Sequence, residues 1–519
     1  MPSTAFRKLG PVLCIAFLLS NATFSQAPDP KKDLQPAIPK TWVDAEIAEL
    51  EVPLADPAGS PKHVSAAYYY KIPVRPIYKQ YPVYAPGHEP PGYIEELKQK
   101  DPVIIWGGEE KGANRPPLAT EADWIRAGEM VFGAPIAYGR LGSFDETVEL
   151  YLRDPAWYKH VQPALTRDGV LPYYTYVIRQ KGKVEIGMLA CAMCHTRVMP
   201  DGSVLKGAQG NFPFDRAMAF DYRALNNAEG ARLVERSLFA APWIKPDAQN
   251  RLPEMTVDEM AALHDAIPAG VVARHRSSPL SPIHVPSLIG VKDRRYLDAT
   301  GLQQHRSIVD LMRYAQLNQG GDDLASYAGF IPFDIPNFKT LPEPATQARY
   351  SEEQLYALAL YVYSLEPPPN PNKFDEVAAR GRKIFQSSGC PTCHTPPLYT
   401  NNKLTLAEGF APPAHHAAKY DILPVSLKTN TDLTLKTRRG TGYYKVPSLK
   451  GVWYRGMFEH NGSCATLEDW FDPRRTRDDY VPTGFKGHGV KTRAVKGHPY
   501  GLSLSEEDRK ALIAFLKTL

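Results

Sequence analysis

The last fifteen residues, Ser505 to Leu519, place apolar side chains at Leu512, Phe515, Leu516 and Leu519, the stripe of an amphipathic helix. Ser505 is the N-cap candidate, and the acidic residues after it complement the helix dipole. Ser351 to Leu365 repeats this pattern in register at Ser, Glu, Glu, Ala and Leu. A second helical stretch, Ala378 to Phe385, puts Gly381 and Phe385 on one face, where glycine lets another helix approach. Ala127 to Phe132 mirrors Arg380 to Phe385, and Val285 to Val291 (VPSLIGV) mirrors Val446 to Val452 (VPSLKGV). The same parts occur twice in the same order. They predict a mainly α chain, with the 49 prolines spread over long irregular loops.

Near the N-terminus, Arg7 and Lys8 precede an apolar run from Leu9 to Leu19 and small or polar residues from Ser20 to Ala27. This reads as a signal peptide over residues 1–27, cleaved near Ser25 to Ala27, and its apolar run is too short for a stable membrane span. No later stretch is long enough to cross a bilayer. A periplasmic or secreted location is expected. The net charge of +5 over 519 residues is too mild to indicate nucleic acid and would suit weak docking to an acidic redox partner.

Six cysteines in an exported chain could form disulfides. Four of them instead lie in Cys191-Ala192-Met193-Cys194-His195 and Cys390-Pro391-Thr392-Cys393-His394. Two thiols two residues apart on a helical turn can each bond one vinyl group of a porphyrin, and the adjacent His then meets the iron. A zinc site would want a second Cys or His pair near each string, and a dithiol enzyme would not need the His. Two covalently bound haem c groups are therefore predicted, attached at Cys191, Cys194, Cys390 and Cys393, with His195 and His394 as iron ligands. Cys464 is left over as a small buried hydrophobe.

With these strings in place the repeat becomes two cytochrome c-like helical domains. The expected organisation is a signal peptide at 1–27, a Pro/Tyr-rich N-terminal extension at 28–115, cytochrome domain 1 at 116–367 and cytochrome domain 2 at 374–519, joined by a proline linker. Phe132 precedes its haem string by 59 residues, Phe385 by five, so domain 1 carries an insertion over 133–189. The aromatics of the extension, including Tyr68, Tyr69 and Tyr70, argue for an ordered wrap.

The two strings, the VPSL blocks and the segment Phe458 to Asp469 (FEHNGSCATLED) resemble the bacterial di-haem cytochrome c peroxidase and MauG superfamily over about Asp123 to Leu519. The resemblance implies two packed helical cytochrome domains, one haem meeting peroxide or dioxygen and the other relaying electrons, with Ca2+ between the domains. It also implies that His460 stands near the haem without ligating it. Two departures stand out: no His occurs from Thr196 to Leu263, and no Met follows Met457. The insertion and a late His are more similar to the haem rubber oxygenases of the same superfamily.

For the sixth ligand of the second haem, His498 is favoured, because Gly497 and Pro499 suggest a shaped turn and Gly501 leads onto the closing helix. His488 and Met457 follow, then His415 and His416. For the first haem, His264, His275, His284 and His305 are the candidates, and none has a motif. Asp298-Ala299-Thr300-Gly301 takes the place of Glu459-His460-Asn461-Gly462, so an open distal face is expected there. Arg274, Arg276, Lys445 and Arg455 are either propionate partners or solvated charges. No catalytic acid or base stands out, Glu254 and Glu259 included. The expected activity is an oxidoreductase using peroxide or dioxygen at haem 1, with a small redox protein, a cytochrome or cupredoxin, as electron donor or acceptor. A non-enzymatic electron carrier and a haem oxygenase acting on an apolar organic substrate are the alternatives.

Overall fold

In the computed structural model the described residues are 37–107, 114–141, 150–245, 251, 254–273, 277–319, 324–332 and 348–519. The signal segment 1–27, with Cys14, and Arg274, His275 and Arg276 lie outside them. The longer helices are α1 (Glu121–Gly133), α2 (Phe214–Leu225), α3 (Ala228–Phe239), α4 (Val257–Asp265), α5 (Ile308–Asn318), α6 (Glu352–Ser364), α7 (Glu376–Ser387) and α8 (Glu506–Lys517). Residues Ile38–Leu519 pack as one unit.

The helix pattern appears as two equivalent crossings, α1 on α6 and α7 on α8. Thr120 and Asp123 form a capping box at the start of α1, and Trp124, Ala127, Gly128, Val131 and Phe132 form its buried face. Glycine at the crossing point is required by distance. A Cβ on Gly128 would lie 2.0 Å from the Ala357 carbonyl oxygen, and one on Gly381 would lie 1.9 Å from that of Ala511. Ala357 and Ala511 are themselves equivalent in the repeat. Gly381→Ala gains about 0.5–1 kcal/mol of helix propensity but forces two backbones apart, and overpacking costs about 1–3 kcal/mol. We expect net destabilisation, read as a lower urea midpoint for the haem-loaded protein. An unchanged or raised midpoint would contradict the crossing geometry.

The chain is not mainly α. Among the described residues, helix accounts for 34% and strand for 15%, an ordinary mixed composition. Much of the strand comes from the extension and the insertion. Strands β1 (Gln80–Tyr84), β2 (Ala137–Tyr138), β3 (Val170–Gln180) and β4 (Lys183–Met188) form an antiparallel sheet in the order β1-β3-β4-β2. Tyr81 stands opposite Tyr176, Tyr176 opposite Ile186, and Ala137 opposite Met188. The β3 sequence, VLPYYTYVIRQ, is rich in the β-branched and aromatic residues that suit a pleated surface. Trp157, Tyr174, Tyr176 and Phe212 pack in the core beside it.

The extension is ordered over its described part. Trp42 stacks on Tyr69 with ring centres 4.5 Å apart. The Tyr70 hydroxyl donates to Glu352 at 2.8 Å, and Thr41 N–H donates to the same carboxylate at 3.0 Å. The wrap is thereby pinned to the first turn of α6.

The two halves also exchange contacts reciprocally. Strands β5 (Val271–Val272) and β6 (Ile283–His284) form a ribbon in the first half. In the second half, β7 (Leu404–Leu406) lies between β8 (Ile422–Ser426) and β9 (Tyr443–Lys445). His284 N–H donates to the His460 carbonyl at 2.9 Å, and Lys445 N–H donates to the Ala299 carbonyl at 3.0 Å. A Cβ on Gly462 would lie 2.3 Å from Val271, and one on Gly301 would lie 2.3 Å from Leu404. Each half thus seats its turn in the ribbon of the other. The matching turn residues Asp298 and Glu459 share a left-handed φ, 69° and 67°.

Candidate haem-binding sites

Strand β4 ends at Met188 and delivers the chain to Cys191–Cys194, a single helical turn. Met193, between the two thiols, is fully buried in the core beside the sheet. The insertion therefore anchors the first string from the side. His195 N–H donates to the Cys191 carbonyl at 3.0 Å, closing the turn. The His195 Nδ1–H donates to the Pro286 carbonyl at 3.0 Å. That bond fixes the tautomer with Nε2 as the basic nitrogen, as a metal-ligating imidazole requires.

The second string repeats the device. His394 N–H donates to the Cys390 carbonyl at 2.9 Å. Its Nδ1–H donates to the Tyr399 carbonyl at 3.2 Å, with the Pro447 carbonyl alongside. Pro286 and Pro447 are the matching prolines of the two VPSL blocks. Burial lowers the His394 pKa and keeps the ring neutral. None of Cys191, Cys194, Cys390 and Cys393 is in a disulfide among the described residues, as thioether attachment needs.

Opposite His394 stands His498, with ring centres 6.3 Å apart. An imidazole nitrogen meets a metal at about 2 Å and the ring centre lies about 1 Å further, so two imidazoles on opposite sides of one ion stand about 6 Å apart. The pair fits that spacing. Burial, then the nearby His394 and Arg475, push the His498 pKa down to about 3, so the ring is neutral. Its Nδ1 is buried without a hydrogen-bond partner. The loop that carries it is built from behind by Arg475, which is fully buried and lies over Trp470 at 4.4 Å. Arg475 donates to the carbonyls of Val495, Gly497 and His498. His498 N–H donates to the Leu427 carbonyl at 2.9 Å. Gly497, at φ 84°, packs where a Cβ would lie 2.5 Å from the Thr429 nitrogen.

The other candidates for this site are engaged elsewhere or exposed. His488 and His415 are exposed. His416 meets the Tyr443 hydroxyl at 2.9 Å. Met457 packs among first-half residues beside Gly270. His460 stacks on Tyr444 with centres 4.4 Å apart and pairs with Glu459 at 2.6 Å.

On the first-haem side, His264 uses both nitrogens, on Asp215 at 2.7 Å and Glu235 at 2.5 Å. Burial works against its charge, but the two carboxylates override it and push its pKa up to about 10. It is a structural imidazolium. His305 also uses both nitrogens, on the Arg294 carbonyl and the Tyr363 hydroxyl, each at 2.7 Å. His284 gives Nδ1 to the Glu459 carbonyl at 2.7 Å, and burial pushes its pKa down to about 4. The twenty residues before α6, 331–350, contain no His, Met or Cys, whereas those before α8 carry His488 and His498.

Arg455 is not a solvated charge. Its Nη2 donates to the Ser448 and Lys450 carbonyls at 2.8 and 2.7 Å, bracing the VPSL turn. Its repeat counterpart Arg294 donates to the Ser287 and Ile289 carbonyls at 2.6 and 2.8 Å in the same way. The two guanidiniums lie near enough to lower the pKa of Arg294, after burial. Among the described residues neither is in an ion pair, and Arg455 Nε is buried without a partner. This cationic pair suits the carboxylates of a haem. Lys445 reaches the Tyr296 carbonyl at 3.4 Å. Glu259 belongs to the capping box of α4 with Thr256, and Glu254 is exposed. Among the described residues, no group of three or more His, Cys, Asp or Glu side chains could hold a metal ion.

Sequence reasoning missed Arg475, the Asp215–His264–Glu235 trio and Arg294. The repeat held a signal for Arg294, which occupies the position of Arg455. Arg475, within DPRRTRDD, has the appearance of a solvated charge run.

No protein-family model matches the chain, and no curated protein matches it. Solved structures similar to it include hydrazine synthase of Kuenenia stuttgartiensis, with 15% identity over 49% of this chain and 79% of that one, at a TM-score of 0.29. A MauG-like protein associated with microbial copper homeostasis has 18% identity over 46% of this chain and 73% of that one, at a TM-score of 0.27. The diheme peroxidase BthA from Burkholderia thailandensis E264 has 16% identity over 49% of this chain and 70% of that one, at a TM-score of 0.22.

Proposed function

We propose that this protein is an exported di-haem c-type cytochrome acting as an oxidoreductase. Peroxide or dioxygen reacts at the His195 site, and the His394 site relays electrons from a small redox protein. Haem supplies a redox iron, and the residues around it decide whether an oxidant can reach it. The observation that carries the reading is an asymmetry. His498 stands across from His394 at 6.3 Å between ring centres. On the His195 side, His264 and His305 have both nitrogens committed, and the segment matching the His498 loop has no His or Met. A plain carrier would need no such difference. No described helix is long and apolar enough to cross a membrane, in keeping with export through a cleaved signal.

The test is carbon monoxide binding to the reduced protein. One haem of two is expected to bind it, the one on the His195 side, and peroxide or dioxygen should oxidise that haem first. Binding at neither haem after reductive cycling would leave the electron-carrier reading in its place.

A further inference from the structure

We propose that the cavity between residues 428–431, 459–463 and 493–496 binds hydrogen phosphate, and that the bound anion steadies the loop carrying His498; this second step rests on the di-haem reading above. The cavity has a volume of about 230 Å³. Lys428, Arg493 and Lys496 bring cations to it, and Glu408 and Glu459 bring carboxylates. No aromatic side chain lines it, so the ligand it suits is small, polar and charged.

The cations are available to an anion. The stretch from Tyr480 to Ser505 contains no Asp or Glu. Among the described residues Lys428 and Lys496 are in no ion pair, whereas Arg474, Arg477, Lys510 and Lys517 of the same half each have a carboxylate partner. Arg493 is held at the wall by its Nε, which donates to the Lys486 carbonyl at 2.8 Å, and by its Nη2, which donates to Ser463 Oγ at 2.7 Å and the Phe485 carbonyl at 2.8 Å. These bonds fix the guanidinium and leave Nη1 uncommitted among the described residues. Lys428 has a left-handed φ of 57°, a conformation that favours glycine or asparagine.

Glu459 selects which anion fits. Its side chain is 3% exposed, and its Oε2 accepts from Asn461 N–H at 3.1 Å. Its Oε1 is buried without a hydrogen bond; His460 Nδ1 stands 2.6 Å away, within ion-pair reach but out of line for a hydrogen bond. A buried carboxylate oxygen in that state lacks a donor. Hydrogen phosphate offers anionic oxygens to the cations and a P–OH to the carboxylate. Sulfate has the same shape and charge but no proton at neutral pH, so it sets a lone pair against Glu459. One acceptor among the donors thus favours the protonated ion.

The cavity lies between the two chain segments that meet at the His498 loop. His498 N–H donates to the Leu427 carbonyl, and Gly497 packs on Thr429. Lys428 stands on one segment, Arg493 and Lys496 on the other. Empty, the cavity sets like charges facing each other; filled, an anion bonded to both sides ties the segments together. What ties them also holds His498 against displacement, by the reciprocity of coupled binding.

The test uses the full haem-loaded protein in phosphate-free buffer at constant ionic strength. Calorimetry should show inorganic phosphate binding at a single site, and sulfate binding about tenfold more weakly because it leaves a buried acceptor unpaired. Lys428→Asn combined with Lys496→Gln should weaken phosphate about tenfold, and Glu459→Gln should narrow the gap between the two ions. Saturating phosphate should slow displacement of His498 by cyanide about fivefold, and should not do so in the double variant. No saturable phosphate binding, equal binding of the two ions, or wild-type phosphate affinity in the double variant overturns the site; the comparison of ions needs no variant to fold. Phosphate binding that leaves cyanide exchange unchanged, in a protein with both covalent haems and a low-spin second haem, overturns the coupling. A protein without that low-spin signal instead defeats the underlying reading, and the calorimetry then decides the site by itself.

Discussion

His498→Ala converts the second haem from six-coordinate low spin to high spin, or to a replacement ligand, and leaves the first haem nearly unchanged. The expectation rests on three features of one loop. The His394 and His498 rings stand 6.3 Å apart, the span of two imidazoles across one ion. The loop is held from behind by three carbonyl bonds to buried Arg475, which do not involve the imidazole. Removing the ring therefore leaves the loop in place and takes away only the ligand. Burial also holds His498 neutral, so its nitrogen is available to a metal without losing a proton. The first site should be insensitive because His195 is fixed by Pro286, in the other half of the chain. The measurement is electron paramagnetic resonance and optical absorption of the oxidised protein. If His488→Ala produces the change and His498→Ala does not, the ligand is His488 and the loop has been misassigned.

Local chemistry was readable in the sequence, and long-range pairing was not. The two Cys-x-x-Cys-His strings, the paired glycines of the helix crossings and the turn around His498 each depend on residues within a few positions of one another. The repeat then extended what local reading could reach, and Pro286 and Pro447 hold the two histidines in the same manner. The mainly α expectation failed where strands from distant segments meet. Tyr81 pairs with Tyr176, and nothing in either stretch names the other. The β-branched and aromatic run of β3 is present in the sequence, but nothing local in the insertion points to the strands it pairs with. Arg475 was hidden for a related reason. A guanidinium in a charged run looks solvated until the carbonyls of a loop twenty residues later close over it. His264 shows the limit most plainly: its neighbours along the chain say nothing of the two carboxylates, on two other helices, that enclose it.

That trio yields the largest stability effect. His264, Asp215 and Glu235 are all fully buried, and Glu235 also accepts from the Tyr222 hydroxyl at 2.8 Å. Asp215 further accepts from Ala273 N–H at 3.0 Å, tying α2 to the ribbon that receives the turn of the other half. Removing the imidazolium leaves two carboxylates buried together without a counter-charge, and breaking a buried pair in this way costs about 3–5 kcal/mol. His264→Ala should therefore lower the urea midpoint of the haem-loaded protein sharply near neutral pH. Both haem spectra should be unchanged in the fraction that remains folded, because neither His264 nitrogen faces a metal. The pH dependence has a fixed sign. The folded pKa, about 10, lies above the unfolded value of about 6.5, so this contribution is fully present below the unfolded value and is lost as pH rises through the folded one. The gap in stability between wild type and His264→Ala should accordingly narrow as pH is raised from 7 through 10. A loss below about 1 kcal/mol, the range of an ordinary hydrogen bond, or a changed spectrum at the first haem, would remove His264 from this structural role and return it to the candidates for iron ligation.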